Sequence, residues 1–352
     1  MAPKSRIQIQ QLANKVQHLV QSLLAELEKV DGETTLYSAD WDALTNDLQN
    51  STQELLLRVV PPQTFLRQLQ LSHYDLVAFQ VAFEFNLFDF IPQSGVLSLS
   101  ELSERAGIDE DRVSRVIRLL AIHSVFTEPE EDIFAHTATS KLLAQDVSFR
   151  SALAVQLDEM YQAASSTAEA IKKSPYEQRA DVTPFSTRFG SSIYDFYQNH
   201  SNRADRFGKA MQGATALQDL FPPPSLSSDN QIIPRVRFQQ HNFFEPQPIT
   251  DAKAYFMKHS LHNHSDADCV RILRSLVPAL EKAGPSIPLL INEGVLPAPG
   301  ERMRRDQELT LRRGDMCMMV TLSAKERTKK QFNHLLNEAD PRLQVQYNPV
   351  SI

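Results

Sequence analysis

The sequence predicts a mainly α-helical amino-terminal part that ends in a winged-helix unit, followed by an α/β part. Three observations predict it. Residues 73–142 read as helix, turn, helix and a two-stranded wing. After residue 235, short apolar runs alternate with amphipathic helices, the pattern of strands joined by helical connections. Between the two parts lies DLFPPPSLSSDNQIIPR (219–235), rich in proline and serine, which reads as loop. The boundaries that follow are 1–72 for leading helices, 73–150 for the winged-helix unit and 151–352 for the α/β part.

The elements follow in order. In residues 7–30, side chains such as Leu12, Val16, Leu19 and Leu23 recur at helical spacing, and Asp31-Gly32 ends the helix. A second helix runs from about Trp41 to Val60 and stops at Pro61-Pro62. The pair suits packing or dimerisation, and equally a solvated pair closing over a core. HYDLVAFQVAFEFNLFDFIP (73–92) is one apolar helix running into a proline. Ser100 caps a short helix that Gly107 ends, and Asp109–Ile122 places Val113, Val116, Ile117 and Leu120 on one face. VFTEPEEDIFAHT (125–137) gives two short strands around a turn. Arg112, Arg115 and Arg118 would face phosphates in a DNA reader. Asp109, Glu110 and Asp111 at the same helix start repel phosphate, so a structural winged helix is expected. Helices over 157–172 and 193–211 come next. Strands are expected at Val236–Phe238, Ala252–Lys258 and Leu289–Glu293, and helices at 266–282, 302–322 and 326–337. Ser265 caps the first of these, with Asp268 three residues on. The tail from Leu343 offers a last strand.

Composition narrows the function. The 352 residues are 42% hydrophobic and 22% charged, enough for two or three domains with substantial cores. A net charge of −7 argues against nucleic acid or an anionic membrane as the main partner. Two cysteines, Cys269 and Cys317, form neither a disulfide framework nor a metal cluster and suit a reducing compartment. The opening MAPKSRIQIQQLANKVQHL lacks a signal-peptide core, and no apolar run reaches the roughly 18 residues of a membrane span, so a cytoplasmic protein is expected. None of the ten glycines lies within two residues of another, although nucleotide-cradling loops rely on such spacing for close backbone approach.

Chemistry concentrates in YFMKHSLHNHSDADC (255–269). Lys258 ends an apolar run, His262 lies four residues on, and a capped helix follows. RVRFQQHNFFEPQP (235–248) precedes it; LLINEGVLPAPG (289–300) and LSAKERTKKQF (322–332) follow. In this order, over most of residues 73–340, these segments resemble the plant- and fungal-type O-methyltransferases that use S-adenosylmethionine. The resemblance implies a winged-helix dimerisation domain, a Rossmann-like methyltransferase domain and a homodimer. It implies methyl transfer from S-adenosylmethionine to an aromatic or enolic hydroxyl of a small aromatic or polyketide-like substrate in secondary metabolism. By position, His262 matches the general base, with Glu293 and Glu326 as the acids beside it. Asn242, Phe243 and Lys258 match the cofactor's adenosine end. Met316, Met318 and Met319 match the acceptor pocket, with Met160 and Phe196 as weaker candidates. A histidine after a strand is also commonly a satisfied structural residue, and a methionine cluster on a helix is commonly core.

The chemistry gives the arrangement a reason. A phenol has a pKa of about 10 and attacks a methyl group well only as it loses its proton. A neutral histidine accepts that proton near neutrality, and a flanking carboxylate fixes its tautomer. This needs no metal.

The sequence departs from the family in two respects. Between the helix ending near Met211 and Val236, the family has a strand, a VDxGGGxG-like loop, a helix and a second strand. Here QGATALQDLFPPPSLSSDNQIIPR (212–235) holds one glycine, Gly213. The domain is therefore expected to be truncated internally near 213–235, with unpaired strand edges and exposed apolar faces. Asn263 and His264 replace the aspartate and tryptophan that usually follow the base, and Asn242 replaces an acid. A non-methylating cyclase or pericyclase-like catalyst that uses His262 as acid/base, and an inactive dimerisation partner, are the alternatives.

Overall fold

The computed structural model describes residues 3–28, 39–177, 179, 181–218, 237–301 and 303–346. The chain divides into two compact units, Met1–Asp75 with Arg302–Leu309, and Leu76–Glu301 with Thr310–Ile352.

In the first unit, α1 (Pro3–Leu27) and α2 (Ala39–Val59) pack on each other, burying Leu19 and Leu23. The Asp31-Gly32 stop lies outside the described residues. The second helix stops before Pro61-Pro62 as expected, and Pro62 opens a further helix, α3 (Pro62–Leu71). Proline suits a first helical position, where no N–H is needed. No residue of α3 is buried, and Phe65, Leu66 and Leu69 are exposed.

The single helix expected over 73–92 is two, α4 (His73–Glu84) and α5 (Leu87–Phe90), broken where Asn86 takes φ 54°. The winged-helix unit follows: β1 (Leu97–Ser98), α6 (Leu99–Ala106), α7 (Glu110–Ile122), β2 (Phe126–Glu130) and β3 (Ile133–His136). Its sheet is antiparallel, in the order β1-β3-β2. Ser98, not Ser100, caps α6, because Glu101 three residues on completes a reciprocal capping box. Gly107 ends that helix at φ 69°, as expected. Leu102, Val113, Ile117, Leu120, Phe126 and Phe134 form its core. Arg112 pairs with Asp109, Arg115 with Asp111, and Arg118 with Glu128 and Asp132.

Helices α8 (Ala138–Gln145) and α9 (Val147–Val155) run into a π turn (Gln156–Met160), then α10 (Tyr161–Ser165) and α11 (Thr167–Lys173). The expected continuous helix at 157–172 is thus broken twice. After α12 (Pro184–Phe189), the helix expected at 193–211 is also two, α13 (Ile193–Asn199) and α14 (Ser201–Gln218). A second core gathers Val155, Met160, Phe185, Phe196, Tyr197 and Val320. Gly213 lets α14 meet α9: a Cβ there would lie 2.3 Å from the Ser148 carbonyl oxygen.

The α/β part is β4 (Tyr255–Lys258), a 3-10 turn (Leu261–Asn263), α15 (Asp266–Ala283), β5 (Leu289–Asn292), β6 (Val295–Leu296), α16 (Arg305–Leu322), β7 (Arg327–Thr328) and α17 (Lys329–Ala339). Among the described residues its strands form two parallel pairs, β4 with β5 and β6 with β7. In β4 and β5, Tyr255, Met257, Leu289 and Ile291 join the apolar clusters of α15 and α17. The alternate residues Phe256 and Leu290 are exposed. Three expectations are corrected here. Arg237 and Phe238 are not strand, and Phe238 is 96% exposed. Residues 343–346 are irregular, with the rest of the tail outside the described residues. Glu326 precedes β7 rather than opening a helix. The segment 219–236 lies outside the described residues.

Candidate active site

The site is built on the turn after β4. His259 takes φ 48°, in the left-handed region, and its N–H continues the parallel ladder to the Asn292 carbonyl at 3.0 Å. The chain then coils through the 3-10 turn that carries His262. Glu293, just past β5, fixes this turn from the neighbouring strand: its Oε1 accepts the N–H groups of Ser260 (2.7 Å) and Leu261 (2.6 Å). Ser265 accepts the Asp268 N–H and starts α15 as the sequence predicts.

His262 Nδ1 lies 2.8 Å from Glu326 Oε1 and 3.7 Å from Glu293 Oε2. The side chains of His262, Glu293 and Glu326 are 16%, 1% and 9% exposed. The second oxygens of both glutamates are buried without a hydrogen-bond partner. A proton on Nδ1 satisfies Glu326 and leaves Nε2 with its lone pair. Burial by itself lowers the His262 pKa. The hydrogen bond that His262 donates to Glu326 and the charges of Glu326 and Glu293 outweigh it and hold the pKa above its ordinary value. His259 and His264 go the other way, lowered chiefly by burial. Asn263 is turned back on the turn, its Nδ2 donating to the His259 carbonyl at 3.3 Å.

Sequence reasoning missed three groups that hold this arrangement. Arg327 is fully buried; it donates to the Leu261 carbonyl (2.9 Å), the His264 carbonyl (2.8 Å) and Asp266 Oδ1 (2.8 and 2.9 Å), so it clamps both sides of His262. Asp315 of α16 accepts the Glu326 N–H at 2.9 Å. Gly294 leaves room for the second carboxylate: a Cβ there would lie 3.1 Å from Glu326 Oε2. In the sequence, Arg327 sits in KERTKK and looks like one more solvated charge.

The expected cofactor residues separate. Phe243 and Lys258 line one cavity of about 440 Å³ beside β4, with His241, His264 and Ser275. Asn242 is not among its lining residues; its Oδ1 accepts the Phe244 N–H at 3.2 Å within the turn. Of the expected acceptor residues, Met160 and Phe196 lie in the second core. Met316 is half exposed on α16, and Met318 and Met319 are partly buried there. The Met318 carbonyl accepts the Ala324 N–H at 3.3 Å, tying α16 to the segment that presents Glu326.

Family models match an O-methyltransferase domain over residues 223–340 and an O-methyltransferase dimerisation domain over 68–146. O-methyltransferase sol2 of Alternaria solani is 36% identical over an alignment covering 86% of this chain and 81% of the relative. The chain belongs to the O-methyltransferase family. It is a helical amino-terminal dimerisation region followed by a methyltransferase domain. Chlorophenol O-methyltransferase of Trichoderma longibrachiatum is 25% identical, covering 86% of this chain and 78% of the relative. Among solved structures, OxaC in complex with SAH and oxaline superposes with a TM-score of 0.72 at 17% identity, covering 95% of this chain and 94% of OxaC. A pericyclic reaction enzyme superposes at 0.69, also 17% identical, covering 93% of this chain and 94% of the enzyme. At these identities both give the fold alone.

Proposed function

We propose that this protein is an S-adenosylmethionine-dependent O-methyltransferase of fungal secondary metabolism, with His262 as general base. The observation that carries the reading is the buried His262–Glu326 pair at 2.8 Å with Glu293 alongside. Glu326 holds the Nδ1 proton, and Nε2 accepts the proton of an aromatic or enolic hydroxyl. The two carboxylates stabilise the imidazolium that results.

The residues around the cavity at β4 fit the adenosine end of the cofactor. Phe243 offers an aromatic face, and Lys258 and Ser275 offer polar groups at the rim. When bound there, the cofactor supplies the electrophilic methyl group. Asn242 would act indirectly, by shaping the turn that presents Phe243. Gly213 is committed to the α9–α14 contact, and the chain carries no GxG spacing, so binding is expected to rest on the adenosine end. Met316 and Met319 on α16 would line the acceptor side with Met318. Met160 would support them from the core beneath.

The exposed apolar residues of α3 and the dimerisation-domain match support a homodimer. Two unpaired cysteines, and no helix among the described residues long and apolar enough to cross a membrane, support a cytoplasmic protein. The absent glycine loop favours one second reading, a cofactor-free acid/base catalyst that uses the same histidine.

Calorimetry with S-adenosylmethionine on the folded protein separates the two readings. Binding, followed by methyl transfer to phenolic acceptors that His262→Ala lowers by about 10²–10⁴-fold, supports methyl transfer. A folded protein that does not bind the cofactor supports the second reading.

A further inference from the structure

The turn that carries His262 presents a second imidazole and an unmatched carboxylate beside it. His259, His262 and Glu293 each offer one donor atom, and the three atoms lie within 4.8 Å of one another. Glu293 uses Oε1 to hold the turn, while Oε2 is buried and accepts no hydrogen bond. A buried carboxylate oxygen without a donor is costly unless something positive faces it.

We infer that His259, His262 and Glu293 bind one divalent metal ion of the zinc type, and that its binding blocks the base. Two imidazoles and a carboxylate are a donor set that zinc takes with a fourth position open to water. Nitrogen donors select against magnesium and calcium, which take oxygen. Donors in a tetrahedral zinc shell lie about 3.4 Å apart, closer than the 4.8 Å within which these three lie, so the side chains must draw together on the ion. The surroundings match what metal-binding histidines have elsewhere. Glu326 holds the ring of His262 at Nδ1, the nitrogen that also faces Glu293 Oε2 at 3.7 Å, so a turn of the ring is what brings Nε2 to the ion. His259 faces His262 with ring centroids 5.5 Å apart. It is held there by a left-handed backbone, by its own N–H on Asn292 and by Asn263 on its carbonyl. A non-glycine residue in that region costs strain, which functional sites commonly retain. The methyl-transfer reading gives His259 no task, and a metal gives it one.

Binding and blocking are separable. Binding depends only on the three donors. Blocking rests on His262 as the base: a metal that occupies the His262 lone pair leaves no acceptor for the substrate proton.

The test uses the full chain stripped with EDTA. Zinc is titrated by calorimetry and cobalt(II) by visible absorption, against His259→Asn and Glu293→Gln. Asparagine tolerates the left-handed backbone, so the first variant is expected to fold, which its thermal melt checks. The expected result is one ion per chain, with affinity falling at least about tenfold in each variant. Zinc is expected to inhibit methyl transfer in the wild type at a concentration at least about tenfold lower than in His259→Asn, which keeps its turnover without zinc. No zinc binding, or binding that neither substitution weakens, overturns the proposal and assigns the ion to other histidines. Variant-sensitive binding by a chain that methylates nothing upholds the metal site and removes the methyl-transfer reading instead.

Discussion

Replacing Arg327 by lysine tests how the base is held. The guanidinium is wholly buried and makes four short contacts with three acceptors, the carbonyls of Leu261 and His264 and the carboxylate of Asp266. A lysine keeps the charge but brings a single ammonium with three donors, in place of a planar fork that reaches both carbonyls and the carboxylate together. At least one acceptor is left unmatched. A charge-assisted hydrogen bond is worth about 1.5–3 kcal/mol, and a stranded carbonyl adds about 1–3 kcal/mol, so Arg327→Lys is expected to cost about 2–4 kcal/mol. That is below the 5–15 kcal/mol typical of whole domains, roughly, so the variant remains folded. The two carbonyls bracket His262, and relaxing them moves the imidazole. A misplacement of about 1 Å is enough for a roughly 10²-fold loss in turnover. Urea unfolding and steady-state kinetics read the two effects. Stability should fall, and kcat should fall by more than cofactor affinity, since Arg327 reaches the cavity beside β4 only through the His264 carbonyl. Wild-type stability and kcat in Arg327→Lys would refute the clamp.

Two further outcomes follow from the same geometry. The His262 pKa is raised above its ordinary value by Glu326 and Glu293 against the opposing effect of burial, and the base must be neutral. Activity measured in EDTA should therefore rise with pH along a limb centred above about 6.5. The stability contributed by the pair runs oppositely: it is complete below the unfolded value and is lost as pH rises through the raised one. A limb at or below the ordinary histidine value contradicts the pairing, and Glu326→Gln should move the limb down. Gly294→Ala places a methyl group 3.1 Å from Glu326 Oε2 and 3.3 Å from Leu311 Cδ2. Both neighbours are side-chain ends that can shift, so the melt should show a loss of only about 1 kcal/mol while kcat drops as the carboxylate leaves His262. An unchanged kcat would show that Glu326 does not depend on this gap.

Legibility in the sequence followed the range of the interaction. The Ser265–Asp268 cap and the α15 helix were readable because a cap and its helix are local. Ser98 and Ser100 compete for α6, and the spacing to Glu101 decides for Ser98. The breaks at Asn86, at the π turn and at His200 interrupt apolar patterns that read as continuous, because packing rather than propensity sets them. Glu326 stood out only within a four-segment pattern. Its neighbour Arg327 could not be recognised as buried, because three of its four acceptors come from residues 261–266, more than sixty positions earlier. Likewise, nothing in HSLH says that His259 and His262 face one another; that depends on a positive φ and on Asn292 from the next strand.

Among the described residues, the contacts that hold the acid–base turn come from the turn itself, β5, α16 and β7. Its parts are the β4–β5 pair, the carboxylate of Glu293 on two amides, the Arg327 guanidinium on two carbonyls and the Asp315 contact to Glu326. None of these contacts draws on residues 213–235. Further strands in the sheet would instead cover Phe256 and Leu290, which remain exposed. The base should therefore stay assembled whether or not the cofactor side is occupied. The prediction is a chain whose His262 keeps its raised pKa, measurable by NMR titration without any ligand, while S-adenosylmethionine binds through the Phe243 side alone. A His262 that titrates at its unperturbed value in the ligand-free protein would mean that the turn needs the cofactor to form, and that the two halves of the site are coupled after all.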